Sequence, residues 1–433
     1  MMNLIGRLPR IGGLLLLVLA IAAQGEEGGG FEWKGEAGLE TRLFRPDHHA
    51  VTTDANLALA GRVEMDHRLS NTRERLRLFG RLDVTDNGRN LFDIQEAWAE
   101  YRWPMLEIRA GFDMLNWSAT EAFHPADVIN SRYLDSDIEN PEKLGEPMLR
   151  LSLKIPAGEL SAWYLPMFIA PIFPSKHSRQ NPLDPGWRFE QPRWVDRNGQ
   201  VSGGNFAHQW VVRLSQSRGP VDFDLHAIQY IDRQQPLYVA DPTNKTVRPI
   251  YLPVTQIGGT MQAVLESWVV KLEWARRHFQ SLGKQALQDL NVSADDEVYT
   301  VDRDHTQVAF GLEYNLAHDS GAVSTFVLEG QALSGVDKAT RYDLQLFQRD
   351  LLVGYRYQFN DAAGSEFRSS FIFDVERPGE RLFNLNYARR LTDTLGLRAG
   401  LRLFQAKQQG RTVEGLERFD KSDQVYLNLI YYF

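Results

Sequence analysis

The chain of 433 residues contains no cysteine. It can therefore form no disulfide, cysteine-ligated metal site or thiol nucleophile, and it offers no cysteine for a lipid anchor. A basic excess is also missing: 48 Lys and Arg against 56 Asp and Glu give a formal charge of −8, which argues against nucleic acid as a partner. No P-loop, HExxH or GxSxG occurs. His208, His226, His305 and His318 lie on or beside strands at no telling spacing from a serine or an acid. Catalytic residues, a cofactor and a resident metal are accordingly not expected. After the first thirty residues no apolar run reaches the ~20 residues of a membrane helix.

That first apolar run, Ile11 to Ala23, follows Arg7 and Arg10 and leads into the small-residue pairs Ala20/Ala22 and Ala23/Gly25. Basic, then apolar, then small is the order of a cleavable signal peptide. Residues 1–25 are expected to be one, and 26–433 the mature domain.

From Phe31 onward the dominant period is two. Phe31, Trp33, Ala37, Leu39 and Leu43 interleave with Glu32, Lys34, Glu36, Glu40 and Arg42; Leu76, Leu78 and Leu82 interleave with Arg73, Arg75, Arg77 and Arg81, with Phe79 the exception. Such alternation puts one face in an apolar medium and the other in a polar one. It recurs in segments near the ~9–11 residues of a tilted membrane strand. The boundaries read 31–44, 55–69, 72–85, 91–103, 105–114, 148–155, 159–168, 206–216, 221–232, 256–266, 268–276, 306–316, 322–332, 345–359, 367–376, 381–390, 394–406 and 424–433.

The connections alternate too. Those after even strands are short turns, whereas those after odd strands are often long and rich in Pro, Asp and Asn, as at 115–147 and 169–205. Outer-membrane barrels have this asymmetry of short periplasmic turns and longer external loops. Trp33, Trp103, Trp163, Trp268, Trp274, Tyr355, Tyr387 and Tyr431 are expected in interfacial girdles. The expected fold is all-β: a transmembrane antiparallel up-and-down β-barrel of about 16–18 strands, a size whose interior is aqueous.

The last strand carries Val425, Leu427, Leu429, Tyr431 and Phe433 on one face. A final strand ending in an aromatic resembles the assembly signal of outer-membrane barrels, with Tyr431 and Phe433 its key residues. The whole pattern resembles porin-like Gram-negative outer-membrane proteins. The stretch Gly111-Phe112-Asp113, Asn116-Trp117, His124-Pro125-Ala126-Asp127-Val128-Ile129-Asn130 and Lys143 to Met148 is similar to a segment of large proteobacterial barrels of no assigned substrate. The resemblance implies a location in the cell outer membrane. It also implies contact with lipid, lipopolysaccharide and the barrel-assembly machinery, and a channel for passive or facilitated diffusion of small hydrophilic solutes. It leaves a homo-oligomer open. The alternative is a receptor, adhesin or assembly factor presenting external loops, with a barrel-embedded hydrolase further behind.

In general porins the third external loop folds into the lumen, and 115–147 occupies that place in the order. Glu121, His124, Asp127, Arg132, Asp135 and Asp137 are expected to narrow the passage opposite Arg73, Arg75, Arg77 and Arg81, with Glu107 and Arg109 also lining it. An acidic loop facing a basic wall would set up a transverse field that filters solutes by charge. The acids Asp295, Asp296 and Glu297, with Asp302 and Asp304, could hold a divalent cation, although such clusters are more often solvated loop.

Overall fold

A computed structural model describes residues 30–46, 52–138, 140–156, 158–292, 299, 302–406 and 415–433. The expected signal peptide and the acids Asp295, Asp296 and Glu297 lie outside the described residues.

Eighteen strands form one sheet. They are β1 Phe31–Phe44, β2 Ala55–Arg68, β3 Thr72–Asp83, β4 Leu91–Arg102, β5 Leu106–Asp113, β6 Glu146–Ile155, β7 Gly158–Met167, β8 Phe206–Arg218 and β9 Val221–Ile231. The second half comprises β10 Pro253–Leu265, β11 Trp268–Phe279, β12 His305–Ala317, β13 Val323–Ser334, β14 Asp350–Gln358, β15 Glu366–Asp374, β16 Arg381–Arg390, β17 Leu395–Gln405 and β18 Gln424–Tyr432. Each strand pairs antiparallel with the next. β18 then returns to β1, with Leu39 opposite Leu429 and Thr41 opposite Leu427. The ring is therefore closed and has no free edge, the condition for a sheet to cross hydrocarbon without unpaired backbone groups.

The alternation decides the faces. Leu39, Leu59, Leu151, Leu225, Ile257, Phe310, Leu328, Val353 and Leu427 are exposed on the outer surface. Inward-turned Ser152, Asp224, Gln256, Glu329 and Leu352 are buried, and inward-turned Glu40 and Arg62 are half-buried. Of the expected girdle, Trp103, Trp268 and Tyr431 are exposed outward. Trp163 is not among them: it is only 4 % exposed and faces the lumen, its ring 5.3 Å from that of Trp117. The reason lies in β7, where Ser161, Trp163 and Leu165 share the inner face against an apolar filling, so both faces carry apolar side chains.

Two further departures are local. The strand expected at 345–359 starts only at Asp350; a short helix, α1 (Lys338–Leu344), precedes it, capped by the Asp337 carboxylate accepting the Thr340 amide at 3.0 Å. Leu346 and Phe347 then pack side by side against an inner apolar cluster, which a strand's alternation would forbid. In β4 the pairing slips: Arg77 faces Glu96 but Leu78 faces Ile94, leaving Gln95 as the extra residue of a bulge. Gln95 and Glu96 thereby both point inward.

Candidate functional site

Residues 114–138 and 140–145, between β5 and β6, enter the lumen. Asn130 ties the segment to its own root, donating to the carbonyls of Asp113 at 3.0 Å and Leu144 at 2.9 Å and accepting the Leu115 amide at 2.8 Å. The chain then reaches the wall formed by β11 to β13. The buried carboxylate of Glu273 on β11 accepts the amides of Ala119 at 2.6 Å, Thr120 at 2.9 Å and Ala126 at 3.3 Å, together with the Thr120 hydroxyl at 2.8 Å. Glu329 on β13 accepts the amides of Glu121 at 2.5 Å and Ala122 at 3.0 Å. Two wall carboxylates thus satisfy a turn whose amides would otherwise be left unpaired inside the barrel. Charge-assisted bonds of this kind contribute about 1.5–3 kcal/mol each.

The other half of the loop is held by the opposite wall. Arg42 on β1 pairs with Asp135 at 3.3 Å, and Arg62 on β2 pairs with Glu142 at 2.9 Å. Gln95, at the bulge, donates to Glu142 at 3.1 Å, and Arg402 on β17 pairs with Asp137. Gly145 has no space for a side chain, since a Cβ there would lie 1.9 Å from the Ile94 carbonyl beside the bulge. β2 and β11 stand nine places apart in a ring of eighteen strands (11 − 2 = 9), so they face each other. The loop crosses the lumen from wall to wall.

The expected site residues divide accordingly. Glu121 meets Lys271 at 3.3 Å and not the β3 row. Asp127 is buried inside the loop, between Lys143 at 2.6 Å and Arg132 at 3.0 Å. Burial alone would raise its carboxyl, but those two cations hold it below the usual aspartate range. Asp135 sits by Arg42 and Arg89, yet burial outweighs them and its carboxyl titrates above the ordinary value. His124 lies 3.9 Å from Glu273 with both ring nitrogens unpartnered.

On the wall, Arg73 pairs with Asp66 at 2.5 Å, Arg75 with Glu96 at 2.8 Å, Arg77 with Glu64 at 3.1 Å and Arg81 with Glu40 at 2.8 Å. Arg109 bridges Glu100 at 2.5 Å and Asp113 at 2.9 Å, while Glu107 meets Arg102 at 3.1 Å and Arg150 at 3.4 Å. The β3 row is therefore neutralised by carboxylates of β1, β2 and β4. Only its end reaches the loop, with Arg81 3.9 Å from Glu142. The acids expected to face that row across an opening are matched to Arg42, Arg402, Lys271 and the loop's own cations, because pairing each charge costs less than leaving it facing a gap. Phe433 closes the seam through its backbone, exchanging hydrogen bonds with Gly35 at 2.8 and 3.0 Å. Tyr431 faces outward.

Glu142, Glu273, Glu329, Arg42 and Arg402 were not singled out by the sequence. The inward parity of the four on strands was readable, whereas Glu142 lies in a connection with no alternation to read; nothing local distinguishes an acid that caps a distant loop from one that pairs with its neighbour.

Two cavities border the crossing segment. One of about 710 Å³ is lined by Asn116 to Ala119 together with Arg213, Asp222, Asp224 and the short turns near Pro156 and Ser217. The other, of about 670 Å³, is lined by Ala122, Phe123 and His124 and by residues of the long connections.

No protein-family model and no curated protein matches the chain. Among solved structures it is similar to Pseudomonas aeruginosa OccK5 (OpdH), with 13% identity over 94% of this chain and 99% of that one and a TM-score of 0.50. Pseudomonas aeruginosa OccD3 (OpdP) gives 9% identity over 94% and 93% of the two chains, also at a TM-score of 0.50. At such identities the likeness establishes the fold.

Proposed function

We propose that the protein is an outer-membrane channel through which small hydrophilic solutes diffuse, with residues 114–145 as its constriction. One observation carries this reading: a closed eighteen-strand ring, apolar outside and ion-paired inside, is crossed by a loop anchored on both walls. A ring of this circumference is wide enough for a water-filled interior, and the crossing segment narrows what would otherwise be an open bore.

Because most of the β3 row is neutralised within its own wall, charge selection is assigned to residues where loop meets wall: Glu121 with Lys271, Asp137 with Arg402 and Glu142 with Arg81. The expected pore-lining set, Arg73, Arg75, Arg77, Glu107 and Arg109, then serves as a hydrated and balanced lining. Single-channel recording in planar bilayers tests the reading. Ohmic openings are expected, and reversal potentials should move for Arg402→Glu more than for Arg75→Glu with Arg77→Glu. Absence of conductance from correctly folded protein would sink the channel.

A further inference from the structure

The two cavities differ in chemistry. That near the short turns is bordered by Arg213, Asp222, Asp224, Thr260 and Gln262, side chains that suit water and hydrophilic solutes. The cavity of about 670 Å³ beside Phe123 is bordered mainly by rings and aliphatic groups. Phe123 and Phe347 meet edge to face at 6.1 Å. Phe173 and Phe189 stack at 4.1 Å, and Tyr238 lies 6.3 Å from Phe189. Charged and amide groups complete the lining, among them Arg132, Asp137, Arg233 and Arg303. Gln307 donates to Gln331 at 2.8 Å, while its own Oε1 has no partner. Arg303 gives one bond to the Gln235 carbonyl at 3.2 Å and leaves its Nε unpartnered.

Aromatic walls favour a flat aromatic ring over a sugar, since rings stack on rings in offset or edge-on geometry. The volume falls within the roughly 300–1,000 Å³ of sites that enclose small organic ligands, which combine an apolar lining with a few placed polar groups. The charged and amide side chains on the lining supply partners for a ligand's polar edge.

We infer that this cavity is a binding site for a ring-bearing amphipathic solute, its ring against Phe123, Phe347, Phe173 and Phe189 and its polar edge toward Arg303 and Gln307. The inference deepens the channel reading by naming a solute class that the lumen retains on its way. Binding itself does not require conduction, and that separates the two claims.

The experiment is calorimetric titration of the detergent-solubilised full chain with benzamide and, separately, with glucose. Benzamide should bind at least about tenfold more tightly than glucose, a difference of about 1.4 kcal/mol. Ala240 lines the cavity at an exposed position, so Ala240→Trp narrows the space without burdening the fold and should weaken benzamide binding. Phe123→Leu with Phe347→Leu keeps the apolar volume, removes the rings and should weaken binding several-fold. Equal affinities for the two probes, or benzamide binding unchanged in Ala240→Trp, overturns the site. Conductance is read in bilayers on the same preparations. A conducting protein that binds no benzamide leaves the channel standing and removes the site; a binding but silent protein does the reverse.

Discussion

Glu273 shows what one inward carboxylate does in this lumen. It accepts three backbone amides and a hydroxyl from a loop more than a hundred residues distant in sequence. Replacing it with alanine strips those partners at once, at a cost on the order of 3 kcal/mol to the loop's docked position. The ladder of β11 is untouched. Glu273→Ala is expected to give larger, noisier single-channel currents and faster proteolysis within 114–145, with unchanged heat resistance of the barrel. A loop as protected as in the parent protein would refute the anchoring role. Glu380, in the connection between β15 and β16, makes a second residue-scale case. Its carboxylate accepts the Leu416 amide at 3.0 Å, and burial pushes its pKa up to about 7, with Asp374 and Glu417 adding to the rise. A carboxyl raised above its unfolded value stabilises below that unfolded value, near 4.5, and loses its contribution as pH climbs through 7. The mouth at 415–419 should therefore be better protected from amide exchange at pH 5 than at pH 8. Glu380→Gln should abolish that difference. The sequence could place both residues on an inner face or loop, but the partner of each lies on a distant segment, and no local pattern encodes it.

Among the elements, the strands were legible because their two faces meet different solvents. β1 and β16 fall on the expected residues, and most others differ by a few positions at an end. Legibility failed where that condition failed. β7 carries apolar groups on both faces because the lumen beside it is filled, so Trp163 read as an outward aromatic. The segment before β14 lost its strand to a capped helix and to Leu346 and Phe347 packing on the same cluster. The bulge at Gln95 escaped the reading because it changes parity by a single residue. That parity gives a sharp prediction. Deleting Gln95 leaves Asp93 and Glu96 inward and Ile94 outward, an unbroken alternation, so the barrel should assemble normally while Glu142 loses a donor. Deleting Ala97 instead reverses the faces of half of β4, which should abolish the folded, heat-modifiable band on gels. If both deletions assemble equally well, β4 is not paired in the register seen here.

For the molecule as a whole everything depends on closure, since a sheet with two free edges would leave two rows of unpaired amides in hydrocarbon, each costing several kcal/mol. The seam is made by the first and last strands of the ring: Leu39 faces Leu429 on the outer surface, and the Thr41 hydroxyl donates to the Leu427 carbonyl at 2.6 Å. The absence of any natural cysteine makes the seam directly testable. Leu39→Cys with Leu429→Cys sets two thiols on paired neighbours, within the Cα separation of about 4.4–6.8 Å that a disulfide spans. Oxidation in membranes is expected to cross-link the pair nearly completely, with a mobility shift after denaturation that reductant reverses. The closed loop covers most of the chain, so the link should raise resistance to unfolding by about 6 kcal/mol on the entropic account. A control pair, Leu39→Cys with Leu225→Cys, lies on strands that are not neighbours and should stay reduced. Cross-linking of the control, or none at the seam, would mean that the ring is open, and with an open ring no aqueous path through the sheet survives.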